Sequence, residues 1–261
     1  MKKLLALMLL SLVVVLGACG TSTDENSSNN DSGSSDKKVL VMGTSADYAP
    51  FEYIDTAKSD DIIGFDIDLA NALGEKLGYE IQVKDMDFSG LISALQSGKV
   101  DLVLSGMSPT PERAENVDFS DVYYTSRDLV ITTKDSKIES VQDLAGKTVG
   151  VQLGSIQEDA AKEIAKTVKV TVENRDRIPQ LIQEIKAGRF DAAIIEDVVA
   201  TGYLNKEDTL TSFPAKEANE DAGSAIAFPK GSDLTEKFNS ELKKMQDSGE
   251  IDELVVKWFD N

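Results

Sequence analysis

The chain has no histidine, and it has a single cysteine, Cys19, among its 261 residues. Histidine is the commonest general base and one of the commonest metal ligands in enzymes. Its absence excludes serine–histidine–acid and cysteine–histidine catalysis, as well as zinc sites built from histidine and cysteine clusters. A single cysteine leaves no intramolecular disulfide, so the core alone must hold the fold. The chain also lacks a glycine-rich dinucleotide fingerprint and a phosphate-binding loop. We therefore predict no metal and no cofactor.

Long apolar runs are scarce, and after the N-terminus none is long enough to span a bilayer. The run at residues 4–16 follows a pair of lysines and has the length of a signal-peptide core. The tetrapeptide LGAC that ends at Cys19 resembles the bacterial lipoprotein lipobox, in which the cysteine is acylated. We therefore predict a signal peptide over residues 1–18 and lipidation of Cys19, with palmitate among the acyl groups. A buried free thiol is the alternative, and it fits poorly with the end of a signal-like segment.

A polar segment follows the predicted lipidation site. Residues 20–36 are poor in apolar side chains and rich in Ser, Asn and Asp, a composition typical of disorder. We assign residues 19–37 to the lipidated cysteine and a disordered tether, whose reach as a flexible coil is roughly 20–25 Å.

Positive charge is in short supply, because 27 Lys and Arg stand against 46 Asp and Glu, for a net charge of −19. Nucleic acid and anionic lipid surfaces repel such a chain. We therefore predict no nucleic-acid partner, and contact with a membrane only through the lipid anchor.

From residue 38 onward, short apolar runs alternate with amphipathic ones, which indicates α/β architecture with mostly parallel sheets flanked by helices. The clearest helix is predicted over residues 65–77, ended by Gly78. The predicted strands are 39–43, 81–83, 100–104, 129–132, 148–153, 168–172, 190–195 and 225–228. The other predicted helices are 88–97, one beginning at 111, 141–145, 156–166, 178–187, one ending at 204, 234–246 and 251–259. Ligands of such sheets bind beyond the carboxyl ends of the strands, here the loops after Gly43, Leu104, Leu153 and Ile195.

The stretch from Ser105 to Tyr124 is the first candidate for a binding site. Thr110 is predicted to cap a short helix that begins at Pro111, and Arg113 falls in its first turn, where the helix dipole disfavours a cation. If the guanidinium points back across the preceding turn, it meets the N–H groups near Ser105, Gly106 and Ser108. That combination suits a carboxylate. The alternative is a solvated or ion-paired surface arginine.

Several segments resemble the polar amino-acid family of ABC-transporter solute-binding proteins, solute-binding protein family 3. They are GTSADYAPFEY, IIGFDIDLANAL, the long segment from MDFSG to VYY, KTVGVQLGSIQE and AGRFDAAIIED. The similarity covers about residues 38–260 and is greatest to arginine and basic amino-acid binders of Gram-positive bacteria, with glutamine binders next. The resemblance implies a two-lobed periplasmic-binding-protein-like fold of type II, with the ligand in the cleft between the lobes. It implies lobe 1 over residues 38–126 plus 222–261, lobe 2 over 127–221, and hinge strands near 126–129 and 221–225.

The resemblance also implies roles for individual residues. Arg113 would grip the α-carboxylate of an amino acid, helped by Ser108, Gly106 and Ser155. Glu196 stands where the family usually has an aspartate that binds the α-ammonium. Tyr48 and Phe88 match positions that sandwich the ligand side chain. The full set of predicted ligand-binding residues is Ser45, Tyr48, Glu52, Phe88, Ser105, Gly106, Met107, Ser108, Arg113, Gln152, Ser155, Ile156 and Glu196.

Some of these residues have plainer interpretations. Ser155 and Glu158 have the spacing of a capping box, so Ser155 is also predicted to cap a helix. Asp87 is interpreted as a helix cap. Ser45 departs from the Gram-negative basic and glutamine binders, which carry an acid there that meets the ligand side chain. A cationic ligand then needs Glu52, Asp47 or another acid, or relies on the aromatic pair and water.

The function predicted from the sequence is a monomeric, lipid-anchored binding protein on the outer face of the cytoplasmic membrane. It would capture a free polar L-amino acid, arginine or another basic one before glutamine, and deliver it to the permease of an ABC importer. We predict no enzyme activity. A dehydratase on the same scaffold, with Glu196 as general acid, is an alternative of another class, and a sensor or adhesin is a third.

Overall fold

The computed structural model describes residues 37–215 and 222–260. The predicted signal peptide, the lipidation site Cys19 and the tether up to residue 36 lie outside the described residues, as does Asp221 in the second predicted hinge strand. Within the described ranges, every helix is too short or too polar to cross a membrane. The same ranges hold no cluster of three or more histidine, cysteine or acidic residues arranged to bind a metal ion.

The elements alternate along the chain much as the sequence predicts. The strands are β1 (Lys38–Thr44), β2 (Asp47–Tyr48), β3 (Glu52–Ile54), β4 (Ile62–Ile63), β5 (Tyr79–Asp85), β6 (Leu102–Val103), β7 (Val117–Ser126), β8 (Asp128–Thr133), β9 (Thr148–Gln152), β10 (Thr171–Arg175), β11 (Ala192–Glu196), β12 (Leu210–Pro214) and β13 (Ala222–Pro229). The α-helices are α1 (Phe65–Leu77), α2 (Leu91–Gln96), α3 (Pro111–Ala114), α4 (Ile156–Thr167), α5 (Ile178–Lys186), α6 (Asp197–Leu204), α7 (Asp233–Ser248) and α8 (Glu250–Phe259). Short 3₁₀ helices cover Phe88–Gly90, Lys134–Ser136 and Val141–Leu144.

Two five-stranded sheets, each flanked by helices, form the two lobes, which confirms the predicted fold class. The first sheet has the order β5-β1-β6-β13-β7 and the second the order β10-β9-β11-β8-β12. Helices α1, α2 and α7 pack with the first sheet, α8 packs on α1 and α7, and α4, α5 and α6 pack with the second sheet. The lobe boundaries at residues 126 and 222 stay a prediction.

Each sheet is mixed rather than mostly parallel. In the first sheet β1 pairs in parallel with β5 and β6, whereas β13 runs antiparallel to β6 and β7. In the second, β9 pairs in parallel with β10 and β11, whereas β8 runs antiparallel to β11 and β12. The antiparallel strand of each sheet is the one that enters from the other lobe, because β8 continues from β7 through Arg127 and β13 follows β12 of the second sheet. Neither strand is reached by a helical crossover within its own sheet, the connection that makes neighbouring strands parallel.

A small sheet, β2-β3-β4, occupies the segment predicted as a polar loop. Phe51 anchors it, because its fully buried ring lies 5.0 Å from that of Phe259 and 5.4 Å from that of Tyr124. Gly64 permits the close approach of α1, since a Cβ there would lie 2.1 Å from the carbonyl oxygen of Phe51. This packing fixes the neighbouring Glu52 beside the first turn of α1.

Other predicted elements shift or change type. Helix α1 has the predicted bounds, and Gly78 ends it in the left-handed conformation. The helix predicted over residues 88–97 is a 3₁₀ turn followed by α2. The strand predicted over 168–172 lies three residues later, as β10. Strands β7 and β12 were not predicted.

Candidate functional site

One cavity lies where loops of both lobes meet, with a volume of about 390 Å³ including space open to solvent, within the range of small-molecule sites. It is lined by Ser45, Tyr48, Glu52, Phe88, Ser105, Gly106, Ser108, Arg113, Gln152, Ser155, Ile156, Gln157 and Glu196. Twelve of the thirteen residues predicted from the sequence are among them.

Met107 and Gln157 are the two differences from the predicted set. Met107 is 1% exposed and packs in a core cluster with Leu91 and Val103, away from the cavity. The chain alternates sides through the turn, so Met107 points inward between two residues that face the cavity. Gln157 was not predicted. It follows Ser155 at the start of α4, and its Nε2 donates to Asp128 Oδ1 at 2.7 Å.

Arg113 is held across the cavity by carbonyl groups of both lobes. The Thr110 side chain caps α3 by accepting from the Arg113 N–H at 3.2 Å, as predicted. The guanidinium donates through Nη1 to Ser108 O at 2.7 Å and through Nη2 to Gly154 O at 2.9 Å, and it lies 5.3 Å from the centre of the Phe88 ring. The first-turn arginine is therefore half-buried in the cleft and held by both lobes, rather than free on the outer surface.

The charge of Arg113 is unbalanced at close range. Within the described part of the chain, no carboxylate lies within 4 Å of its guanidinium, which has five N–H donors and uses two on carbonyls. Burial lowers the pKa of Arg113 to about 10, although Asp159 and Glu112 at longer range oppose the shift. The side chain is still a cation near pH 7, so this end of the cavity is suited to an anion.

The start of α4 forms the wall beside Arg113. Ser155 caps this helix, because its Oγ accepts from the Glu158 N–H at 3.1 Å. The predicted reciprocal bond is displaced by one residue, since Glu158 Oε2 accepts from the N–H of Gly154 at 2.7 Å rather than from Ser155. Ser155 and Ile156 line the cavity, so the positive end of the helix adds to the field of Arg113.

Glu196 lies at the carboxyl end of β11, where the strand meets the cavity. It is 4% exposed and accepts hydrogen bonds from Tyr48 Oη at 2.7 Å and from Ser126 Oγ. Burial raises the pKa of Glu196 to about 7, against the opposing effect of these two donors. Gly106 allows the close packing here, because a Cβ would lie 3.0 Å from the Tyr48 ring. Glu196 gives the cavity a carboxyl group suited to an ammonium.

A second buried carboxyl, Glu52, faces the cavity from β3. Ser105 Oγ donates to Glu52 Oε1 at 2.7 Å and accepts from the N–H of Ser45 at 3.0 Å. Asp66, in the first turn of α1, lies behind Glu52 and accepts at Oδ2 from the N–H of Gly106 at 2.9 Å. Burial raises the pKa of both carboxyls, of Asp66 to about 6 and of Glu52 well above its ordinary value.

Asp47, named with Glu52 as a candidate partner for a cation, is turned away from the cavity. Its Oδ1 accepts from Ser45 Oγ at 2.8 Å and its Oδ2 from the N–H of Ile178 at 2.6 Å. Asp47 therefore caps α5 of the opposite lobe. Of the two acids, Glu52 is the one in the cavity wall.

Asp87 does not cap a helix as predicted. It precedes the 3₁₀ turn at Phe88, but its side chain makes no capping hydrogen bond and instead accepts from Arg177 Nε at 2.9 Å. The Arg177 guanidinium also donates to both oxygens of Asp85, at 2.8 and 3.3 Å. Because Arg177 follows β10 and the two acids lie at the end of β5 and just after it, these ion pairs, called here the rim bridge, join the two lobes outside the cavity. No local pattern in the sequence indicates this long-range pairing.

Comparison with known proteins places these features among extracellular binding proteins. The family model of bacterial extracellular solute-binding proteins, family 3, matches residues 40–261. The chain is 56% identical over 261 residues to the arginine-binding extracellular protein ArtP of Bacillus subtilis, covering 99% of this chain and 98% of that protein.

Solved structures agree with the sequence comparison. The substrate-binding protein of an amino acid ABC transporter has a TM-score of 0.81 and 45% identity, over 85% of this chain and all of its own. An ancestral arginine-binding protein is similar both when bound to arginine, with a TM-score of 0.78, and when bound to glutamine, with 0.79. Each is 39% identical to this chain and matches 85% of it and 98% of the ancestral protein.

Proposed function

Because the chain belongs to the bacterial extracellular solute-binding proteins of family 3, we propose that it is the amino-acid-binding component of an ABC importer and that its ligand is L-arginine or another basic amino acid. One observation carries the choice of ligand. The cavity is lined by one cation, Arg113, which has no carboxylate partner among the described residues, and by two buried carboxyl groups, Glu196 and Glu52. Arginine has the complementary set, namely one carboxylate, one ammonium and one guanidinium.

In the proposed complex the α-carboxylate binds Arg113, with the Ser108 region and the start of α4 as further donors. The α-ammonium binds Glu196, which then ionises fully because an adjacent cation favours the charged form. The side chain extends between Tyr48 and Phe88, whose faces attract a guanidinium, toward Glu52. In this arrangement Glu52 supplies the negative charge for the ligand side chain, so the uncharged Ser45 is sufficient at its position.

Glutamine or another neutral polar amino acid is the second candidate ligand. It is supported by the ancestral arginine-binding protein, which also binds glutamine, and by the raised pKa of Glu52, because a protonated carboxyl can both donate to and accept from an amide.

An enzymatic function is not proposed. The dehydratase alternative would use Glu196 as a general acid, and its pKa of about 7 suits that role. The relatives described above, however, are named as binding proteins. Formation of product from prephenate would reverse this choice.

We propose the following location and partners. The family is extracellular, and lipidation of Cys19 after removal of residues 1–18 would hold the domain at the outer face of the cytoplasmic membrane. The protein would act as a monomer and present its closed lobes to the permease. Labelling with radioactive palmitate in cells, lost on Cys19→Ser substitution, would support the anchor. If a deletion strain took up arginine normally, the sensor or adhesin alternative would gain support.

The ligand is identified by a thermal-shift screen of the twenty amino acids with ornithine and citrulline, followed by calorimetric titration of the hits. Arginine should give the largest stabilisation, because a ligand that binds only the folded state raises its stability by mass action. Citrulline has nearly the shape of arginine without its side-chain charge, so it is the matched control ligand for the proposed interaction between the guanidinium and Glu52. No shift with any basic amino acid would refute the proposed ligand class.

A further inference from the structure

The Glu52 and Asp66 carboxyl groups form a pair at the wall of the cavity. Both side chains are fully buried, and each carboxyl lies close enough to the other to shift its pKa. Gly64 allows this approach, and the N–H of Asp66 donates to Phe51 O at 2.9 Å, which fixes the start of α1 against β3.

The carboxyl oxygens of the pair all have hydrogen-bond partners only if the pair carries a proton. Glu52 Oε1 and Asp66 Oδ2 accept from Ser105, Gly106 and Tyr123. Glu52 Oε2 and Asp66 Oδ1 are buried and receive no N–H or O–H from the described residues. Two ionised carboxylates in contact repel strongly in a buried setting, whereas one shared proton gives both oxygens a partner. The pair in the ligand-free protein therefore has one proton and one negative charge.

The surrounding groups place that proton on Glu52. Asp66 lies in the first turn of α1, where the helix dipole favours a carboxylate, and it accepts from Tyr123 Oη at 3.0 Å as well as from Gly106. The charged groups nearest to Glu52 are acidic, Asp66 first and Asp47 next, and they raise its pKa further after burial.

The other titratable groups near the cavity do not share the proton of the Glu52–Asp66 pair. Glu196 and Tyr48 are hydrogen bonded to each other, and Arg113 lies at the opposite polar end with no carboxylate within 4 Å in the described ranges. Tyr48 and Tyr123 stay protonated, because burial raises the pKa of each well above its ordinary value.

We propose that the Glu52–Asp66 pair adapts its charge to the ligand, releasing its shared proton to solvent when a cationic side chain binds and keeping the proton when a neutral side chain binds. The inference rests on the proposed function, since it concerns the same cavity.

Charge conservation in the buried region is the physical reason. Without ligand, the pair has one negative charge. When a guanidinium binds, the O–H bond of Glu52 breaks, the proton goes to buffer, and two carboxylates plus one cation again sum to one negative charge. With a neutral amide or ureido group, the proton stays and the sum is the same. The site therefore accepts either ligand without burying an additional net charge.

The test is calorimetric titration of the full chain with arginine and with citrulline near pH 7, each in phosphate and in Tris. The difference in observed enthalpy between buffers of different ionisation enthalpy gives the number of protons released. Both ligands have the α-ammonium that acts on Glu196, so their difference isolates the Glu52–Asp66 pair. Arginine should release close to one proton more than citrulline. Its affinity relative to citrulline should rise with pH, by up to about tenfold per unit, over the range in which Glu52 of the ligand-free protein stays protonated.

Three variants test whether the Glu52–Asp66 pair is the source of the additional proton. In Glu52→Gln the group that would release the proton is gone, so the additional proton should disappear and the preference for arginine over citrulline should be lost. In Asp66→Asn the competing charge is removed while the burial that chiefly raises the pKa of Glu52 remains, so the number of additional protons should fall. Asp47→Asn is the matched control, because it removes a nearby acid outside the pair and should keep the additional proton. Urea unfolding checks that each variant is folded.

The outcomes distinguish this inference from the proposed function. If arginine binds and releases the same number of protons as citrulline, the inference is overturned and the proposed function stands. If Glu52→Gln keeps the additional proton, the pair is not its source and the inference is again overturned. If no basic amino acid binds, both fail.

Discussion

Replacing Arg177 with alanine tests whether contacts outside the cavity set the affinity for the ligand. The guanidinium belongs to the second lobe and donates to Asp85 and Asp87 of the first, at 2.8 to 3.3 Å. These three residues of the rim bridge are not among those that line the cavity. The substitution therefore removes contacts that hold the lobes together and leaves the contacts of the ligand in place.

The size of the effect follows from exposure and geometry. Exposed ion pairs contribute about 0.2–1 kcal/mol each. The side chains of Arg177, Asp85 and Asp87 are 23, 38 and 55% exposed, which puts the forked pair with Asp85 near the upper end of that range and the pair with Asp87 near the lower. Together they favour closure by about 1–1.5 kcal/mol, so every dissociation constant should rise about five- to tenfold.

The assay is calorimetric titration of Arg177→Ala with arginine and citrulline at low and high salt. The affinities for both ligands should fall by the same factor. The difference in affinity between the variant and the parent protein should shrink at high salt, because salt screens exposed charges. Arg189→Ala is the matched control. Arg189 contacts Glu184 within the second lobe, and its loss should leave both affinities unchanged. Unchanged affinity in Arg177→Ala, or a loss confined to arginine, would refute the reasoning.

Three further predictions concern the cavity itself. Arg113→Lys should weaken amino-acid binding by about ten- to a hundredfold in titration, because a point charge replaces a fork, with an unchanged unfolding transition as control. Since the pKa of Glu196 is raised to about 7, the ligand-free folded state holds more protons than the unfolded state between about pH 4.5 and 7. Glu196 should therefore lower the unfolding free energy as pH rises through that window, by at most about 1.4 kcal/mol per unit, in addition to the effect of the Glu52–Asp66 pair. Glu196→Gln should reduce the slope of the unfolding free energy against pH, measured by urea unfolding. Gly106→Ala should reduce both stability and affinity, because a Cβ would meet the Tyr48 ring at 3.0 Å. Gly98→Ala has similar positive φ with nothing within 4 Å and should cost only about 1 kcal/mol of stability; equal effects of the two glycine variants would argue against the steric role.

Local patterns explain what the sequence predicted well. Helix α1 has its predicted bounds because apolar residues repeat with helical spacing and Gly78 supplies a left-handed end. Arg113 was singled out because the helix dipole disfavours a cation in a first turn, and Glu196 because it follows a predicted strand whose carboxyl end faces the cleft. Family resemblance supplied their expected roles. Both line the cavity.

The remaining features depend on residues far apart in the chain. From its position in the sequence, Asp66 is expected to be a solvated acid in the first turn of an amphipathic helix. Only its hydrogen bonds with Gly106 and Tyr123, which are 40 and 57 residues away, show that it is buried and paired. Asp87 has the position of a cap, yet Arg177, 90 residues later, binds its carboxylate. A periodic pattern contains no information on which distant cation or N–H group a side chain will meet.

The two carbonyl groups that hold Arg113 have a consequence for opening of the cleft. One belongs to Ser108 and the other to Gly154, on opposite sides of the cleft, so the guanidinium keeps its orientation only while the lobes stay together. Separation of the lobes would break the contact with Gly154 and leave the guanidinium held by Ser108 alone. Opening would therefore weaken the hold of Arg113 on a carboxylate in the cavity, whatever side chain that ligand carries.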